Sequence, residues 1–409
     1  MKIIQIIARL NVGGPARQII WLTQKFQNAE FNSVLIAGTV PAGEEDMAYL
    51  AAANGVTPVY IPELSRELSP KDIVSLFKIY REIRRQKPDI IHTHTAKAGT
   101  VGRIAAFLYR WLTLRALIGK PRQVKVVHTF HGHVFHSYYG ALKTRIFITI
   151  ERVLALLATH KIVVITDQQF REIHEHFGVG AAGQFEIVPL GIDLSVYDQN
   201  DCERGLLRNE IGASESDIVV GFVGRLTEIK NIPLLLETAA KYKDLTDADK
   251  PRIKFVIIGD GNLRYELETR SAHLGLGDIV HFLGNREDIP ALLAGTDIVA
   301  LTSNNEGTPL SLIEAMAAGK PVILTAVGGV VDLLGNTVEP FNGFSVCEHG
   351  ISVEPDNPEH FLKGLIYLAK NEQLQESCSI NGKRFVSEKY SVNRLETDII
   401  ELYRGLAKK

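Results

Sequence analysis

Short apolar, β-branched runs alternate with helical patterns along the whole chain, and that alternation leaves few folds open. Parallel neighbouring strands need crossover connections, and intervening helices supply them while covering both faces of the sheet. In the first half the expected strands are Lys2–Ala8, Ser33–Gly38, Asp89–His92, Lys125–Thr129 and Lys161–Ile165. A second series begins at Ile218, with Ile218–Val223, Lys254–Ile258, Ile279–Leu283, Asp297–Thr302 and Pro321–Thr325. Between them, Pro189–Asp193 reads as a turn leaving the first sheet, followed by a polar stretch. The 409 residues are thus expected to form two α/β domains, 1–195 and 196–387. The segment Tyr390–Tyr403 has the spacing of an amphipathic terminal helix.

With 45% hydrophobic and 22% charged residues, the composition is that of a globular enzyme. No apolar run reaches the roughly 18 residues a membrane span needs, and Met1–Ile7 is too short for a secretory signal. Cys202, Cys347 and Cys378 show neither a disulfide framework nor a zinc spacing, so a reducing cytoplasm is expected. Charge is divided unevenly: residues 1–195 hold 23 Lys and Arg against 15 Asp and Glu, the remainder 22 against 32. Residues 90–150 contain no acid at all. The segment 103–125 is apolar with basic residues spaced along it, which suits either an anionic membrane surface or a core helix with a basic edge. No recognised motif for nucleic acid accompanies the charge, and none is expected to bind.

The chemistry concentrates at the carboxyl ends of the second series of strands, where open α/β sheets bind ligands. Glu306 and Glu314 frame the turn Glu306-Gly307-Thr308-Pro309-Leu310, with Thr308 expected to cap a helix, Pro309 to open it, and Gly319 to end it. Such a helix start offers free N–H groups to an anion, and the carboxylates could hold sugar or ribose hydroxyls beside it. Acids near a helix start are also favoured by the dipole alone. Arg225 and Lys230 bracket a loop at Gly224 and suit a diphosphate, although a surface ion pair with Glu228 would also explain either. Two further glycine turns follow, Gly259-Asp260-Gly261 and Gly284-Asn285-Arg286, the latter placed to present backbone groups to a nucleobase.

In the first half, Gly13 and Gly14 let the backbone approach a ligand before a helix that carries Arg17, without the full dinucleotide-binding pattern. Six of the 13 histidines crowd onto two strand ends, His92-Thr-His94 and His128-Thr-Phe-His131-Gly-His133-Val-Phe-His136. A metal site is the sharp reading, but no cluster of acids accompanies them, and none is expected.

Gly-Arg225…Lys230, Gly-Asp260-Gly, Phe-Leu-Gly284 and Glu306-x7-Glu314, in that order and spacing, resemble the retaining glycosyltransferases of the GT-B fold, over essentially the whole chain. The resemblance implies two facing Rossmann-like domains with a central cleft, and a terminal helix, about 388–409, crossing back onto the first. It implies a nucleotide-sugar donor with Arg225 and Lys230 on the diphosphate, Glu306 on the transferred sugar and Glu314 on the ribose. The donor site would also include Gly13, Gly14, Gly259, Asn285, Arg286, Gly307, Thr308, Pro309 and Leu310. His131 matches the family's active-site histidine, and Lys97, His133 and Arg17 become candidates on the acceptor side. Asn231 departs from the pattern, standing where the family usually has glycine.

The expected activity is transfer of a hexose or N-acetylhexosamine, from a UDP-sugar, to a saccharide or lipid-linked saccharide in bacterial surface polysaccharide synthesis. The scheme requires no metal or other cofactor, and the protein would be cytoplasmic or peripheral on the inner membrane face. A nucleotide-sugar epimerase or hydrolase of the same fold, and a non-catalytic nucleotide-sugar-binding protein, remain as alternatives.

Overall fold

The computed structural model describes every residue except 12, 41–45, 65–69, 132–140, 198–202, 247–249 and 409, and the side chains of 141–143. His133 and Cys202 lie outside the described residues. The chain divides into two compact units, Met1–Ile192 with Val392–Lys409, and Asp193–Ser391.

The first unit is built on seven strands: β1 (Lys2–Ile7), β2 (Asn32–Ala37), β3 (Val59–Tyr60), β4 (Ile90–His94), β5 (Lys125–Thr129), β6 (Lys161–Val164) and β7 (Phe185–Ile187). They pair in parallel in the order β3-β2-β1-β4-β5-β6-β7. Because side chains alternate along a strand, two faces separate. Ile4, Ile6, Ile36, Ile91 and Val126 pack with Ile79, Ile83 and Ala105 of the Lys71–Gln86 and Ala96–Trp111 helices. Ile3, Ile90, Val127 and Val163 pack on the other side with Leu395, Ile399, Tyr403 and Leu406 of the last helix, Val392–Ala407.

The second unit carries eight strands: β8 (Ile218–Val223), β9 (Ile253–Ile258), β10 (Val280–Gly284), β11 (Ile298–Leu301), β12 (Val322–Thr325), β13 (Thr337–Pro340), β14 (Phe344–Cys347) and β15 (Gly350–Val353). Their order is β10-β9-β8-β11-β12-β15-β14-β13, parallel except where β14 pairs with β15 and with β13. Strand order reverses between β8 and β11, since the chain moves outward through β9 and β10 before returning. That switch point opens a crevice at the strand carboxyl ends, and Arg225, Lys230 and Glu306 all lie in the loops beside it.

The basic segment 103–125 does not form a continuous surface. Arg103 is fully buried, and its Nη2 donates to both carboxylate oxygens of Glu151 at 2.6 Å, on the neighbouring Ala141–Ala158 helix. The acid that neutralises it lies one residue past the acid-free stretch. Only the end of the segment is open to solvent, where Leu112, Leu114, Leu117 and Ile118 are exposed beside Arg115 and Lys120. Among the described residues, no helix is long and apolar enough to cross a membrane.

Candidate active site

In the second unit the strand ends are layered backbone against backbone. Gly224 N–H donates to Ile258 O at 3.0 Å, and Gly259 N–H to Gly284 O at 2.8 Å. Gly259 has φ 135°, and a Cβ there would collide with the Gly224 carbonyl. The conformational freedom of glycine is therefore used at 259, and Gly224 has an ordinary negative φ.

The loop after β8 ends in the short helical turn Glu228–Lys230, and Lys230 forms an ion pair with Glu306 in the loop after β11. Ser303 Oγ donates to the same Glu306 oxygen at 2.7 Å, and Thr302 Oγ1 donates to Lys230 O at 3.0 Å. Thr325 Oγ1 in turn holds Ser303 O at 2.6 Å. Cation and carboxylate are thus held by the hydroxyls of Thr302 and Ser303, just past β11, with Thr325 at the end of β12 behind them, a contact that the spacing along the chain does not reveal. Arg225 is exposed and has no ion pair among the described residues, so the surface pair with Glu228 is not formed. An exposed, unpaired guanidinium beside a lysine whose charge is held in place is a ready arrangement for a diphosphate.

Asn231 is left-handed, with φ 45° and ψ 47°. Asparagine is among the few side chains that tolerate this region. Its Nδ2 donates to Asn304 Oδ1 at 2.9 Å and Asp356 Oδ1 at 3.0 Å, tying the loop after β8 to that after β11. The departure from glycine therefore keeps the backbone turn and adds two hydrogen bonds.

The helix carrying the second glutamate is Leu310–Ala317, one residue later than expected. Pro309 is its N-cap residue, extended at φ −71° and ψ 119°, and Thr308 does not cap it. Glu314 is the fifth residue of the helix and half-buried. Gly307 borders open space, Pro309 is buried, and Thr308 and Leu310 are half-buried. Gly319 ends the helix with φ 67°.

Arg286 is committed elsewhere. It binds Glu210 at 2.9 and 3.0 Å and Asp288 at 2.6 and 2.8 Å, and these carboxylates push its pKa up. Asn285 beside it is exposed. Asp260 accepts from Gly261 N–H at 2.7 Å and from Arg264 at 2.8 Å, and the Arg264 guanidinium holds its carboxyl below the usual range.

In the first unit, Gly13 is the exposed N-cap residue of the Gly14–Lys25 helix, with Arg17 exposed on its first turn. Lys97 is buried in the first turn of the Ala96–Trp111 helix and pairs with Asp72 at 2.7 Å, joining two helices. The histidines His92, His94 and His131 bond to one another or to buried neighbours, and burial lowers every one of their pKa values, to about 3 for His92 and about 4 for His131. His128 lies on the opposite face, bonded to Thr93 Oγ1 at 2.9 Å, and only glycine at 99 leaves room for its ring. Among the described residues, no group of three or more His, Cys, Asp or Glu side chains is arranged to hold a metal ion.

Residues 12–196 match the family model described as Glycosyltransferase Family 4, and residues 203–385 match that of Glycosyl transferases group 1. The chain is a GT-B glycosyltransferase. An Escherichia coli relative, UDP-Gal:alpha-D-GlcNAc-diphosphoundecaprenol alpha-1,3-galactosyltransferase, is 29% identical over 355 residues, covering 85% of each chain. D-inositol 3-phosphate glycosyltransferase of Salinispora arenicola is 27% identical over 333 residues, 77% of this chain and 68% of that one. Among solved structures, the Anabaena protein HepE in complex with UDP aligns over 99% of this chain and 100% of its own, with a TM-score of 0.76 and 21% identity. This glycosyltransferase accordingly shares its two-sheet architecture with HepE over nearly the whole chain.

Proposed function

We propose that the protein is a retaining transferase that moves a hexose or N-acetylhexosamine from a UDP-sugar to a hydroxyl of a lipid-linked saccharide, in surface polysaccharide synthesis. The observation that carries the reading is the Lys230–Glu306 pair beside the unpaired Arg225 at the β8/β11 switch point. Two cations there stabilise the diphosphate as the glycosidic bond breaks and negative charge builds on the leaving oxygen. Glu306, once Lys230 turns to phosphate, is free to accept from a sugar hydroxyl, and Glu314 is assigned to the ribose. His131 is the residue of the first unit to which we assign contact with the transferred sugar. Lys230 and Arg225 supply the electrostatic role that a metal could otherwise play, so the scheme needs none.

The lipid-linked acceptor is supported by the name of the Escherichia coli relative, whose acceptor is a sugar diphosphoundecaprenol. The exposed tip with Leu112, Leu114, Leu117, Ile118, Arg115 and Lys120 has the amphipathic chemistry of a segment that rests on an anionic bilayer. On this reading the enzyme works peripherally on the cytoplasmic membrane face.

The test is direct. Each of UDP-galactose, UDP-glucose and their N-acetylated counterparts is screened for a rise in Tm, because a ligand bound only by the folded state stabilises it. The stabilising donor is then offered with an N-acetylglucosaminyl diphospholipid, and the anomeric proton coupling of the product is read by NMR. An α-linked product from the α-linked donor is expected. A β-linked product would sink retention, and turnover of the donor without acceptor would favour the epimerase or hydrolase reading.

A further inference from the structure

One buried polar chain in the first unit is left unexplained by the donor site. On the sheet face covered by the last helix, β-alternation places Ile3 and Gln5, Ile90, His92 and His94, and Val127 and Thr129 side by side, with Gln5 in register with His92 and His94 with Thr129. The face is apolar toward one end and polar toward the strand carboxyl ends. Tyr403 of the Val392–Ala407 helix lies over it, fully buried and packed edge-on to His92 with ring centroids 5.8 Å apart.

The hydrogen bonds run continuously. Gln5 Nε2 donates to Tyr403 Oη at 3.3 Å. The single phenol proton then goes to His92 Nδ1 at 2.7 Å, which leaves His92 Nε2–H to donate to Thr129 Oγ1 at 2.6 Å. At its other end the Gln5 amide presents Oε1, which accepts from His94 Nε2–H at 2.7 Å. His94 is neutral because burial disfavours its charged form, so its Nδ1 can only accept, and it accepts from His131 Nε2–H at 3.0 Å. His131 is therefore held with its proton on Nε2 and the lone pair on Nδ1. His94 is further fixed by stacking on His92, 4.2 Å between centroids.

Backbone geometry marks the same spot. Thr95, which follows His94, has φ 65° and ψ 159°, a region almost reserved for glycine. A β-branched residue there costs about 1–3 kcal/mol, and such strain persists where surrounding structure over-determines it. Here β4 must end with His94 against Gln5 and His131.

We infer that Tyr403, Gln5 and His94 are positioning residues that set the tautomer and orientation of His131, so that the last helix of the chain governs the ring the enzyme uses on the sugar. The inference rests on the role proposed for His131. If the Tyr403 hydroxyl is removed, nothing orients the Gln5 amide, which can flip and present Nε2 to His94. Every donor and acceptor after it then reverses, and His131 takes its proton on Nδ1.

The experiment uses the full chain labelled with 15N-histidine, with the His131 signals assigned by their loss in His131→Gln. In the unaltered protein, His131 Nε2 should appear protonated and Nδ1 unprotonated. Tyr403→Phe keeps the ring beside Phe26 and should leave the fold intact, yet give a mixed or reversed His131 tautomer. In the same variant kcat should fall about tenfold with the donor KM unchanged, because orientation and not binding is lost. Gln5→Leu should do the same, whereas Gln5→Glu, which retains an acceptor for His94, should restore the tautomer. A His131 tautomer untouched by Tyr403→Phe and Gln5→Leu overturns the inference whatever His131 does. Normal transfer by His131→Gln would instead overturn the role assigned to His131 in the proposed function, and is read separately from the tautomer.

Discussion

The two units organise their polar residues by opposite means. In the first, Gln5, His92, His94, Thr129 and Tyr403 are buried, neutral and bonded in a line. In the second, Lys230, Glu306 and Arg225 carry full charges in a loop region that is half-buried or exposed. A neutral buried network loses little to desolvation and confers geometry, because each member has one satisfied arrangement. A charged site open to solvent adapts to an incoming anion and confers binding. On the proposed reading, orientation and charge stabilisation are built separately, on different sheets.

The sharpest way to break this comparison is at the ionic end. Lys230→Ala should lower kcat/KM by about 10²–10³-fold, the loss typical of one donor to a developing oxyanion, while Tm shifts by only a few degrees. Transfer within threefold of the unaltered enzyme would show that the charge is structural. A smaller effect probes the neutral end. Burial lowers the pKa of His92 to about 3 and of His131 to about 4, so both stay uncharged in the fold, while the unfolded chain protonates them near 6.5. Stability is therefore fully present above about pH 6.5 and falls as pH drops through the window from 6.5 toward 4 and 3, because only the unfolded state takes up the protons. A scan of Tm should show a loss of roughly 5 °C or more from pH 7.5 to 5. A flat profile would mean that the network is charged. The smallest change sharpens the account of the donor loop. Asn231→Ala should cost about 1–2 kcal/mol in denaturant unfolding, and Asn231→Gly less, because the left-handed backbone excludes a plain Cβ. Equal costs would show that the hydrogen bonds to Asn304 and Asp356 select the asparagine.

Much of this architecture could be read from the residues, and the reasons it could be read are local. Ten strands announce themselves as buried apolar runs, and β5 and β8 have the expected bounds, whereas β14 and β15, though mostly buried, were not expected. Val59–Tyr60 and Phe185–Ile187 went unseen because two or three residues on a sheet edge carry no period. β13 is exposed throughout, so no burial pattern distinguishes it from a loop. Within the site, glycines and charged residue types marked the loops, but the pairing of Lys230 with Glu306 joins positions 76 residues apart. The pairing of Lys97 and Arg103 was not legible for one reason: their carboxylate partners, Asp72 and Glu151, lie on other helices, where a local charge pattern does not reach. Gln5 and Tyr403 carried no signal. A lone glutamine in an apolar strand and a tyrosine near the end acquire meaning only through a contact 398 residues apart.

That long-range contact has a consequence for how the protein is made. The first sheet emerges early from the ribosome, yet the part of its apolar face that meets Leu395, Ile399, Tyr403 and Leu406 stays uncovered until residues 392–407 have been synthesised. Completing the core of the amino-terminal unit therefore waits until the whole of Asp193–Ser391 has been made. A chain cut short by twenty residues would keep Arg225, Lys230 and Glu306 and still expose that part of the sheet to the quality-control machinery of the cell.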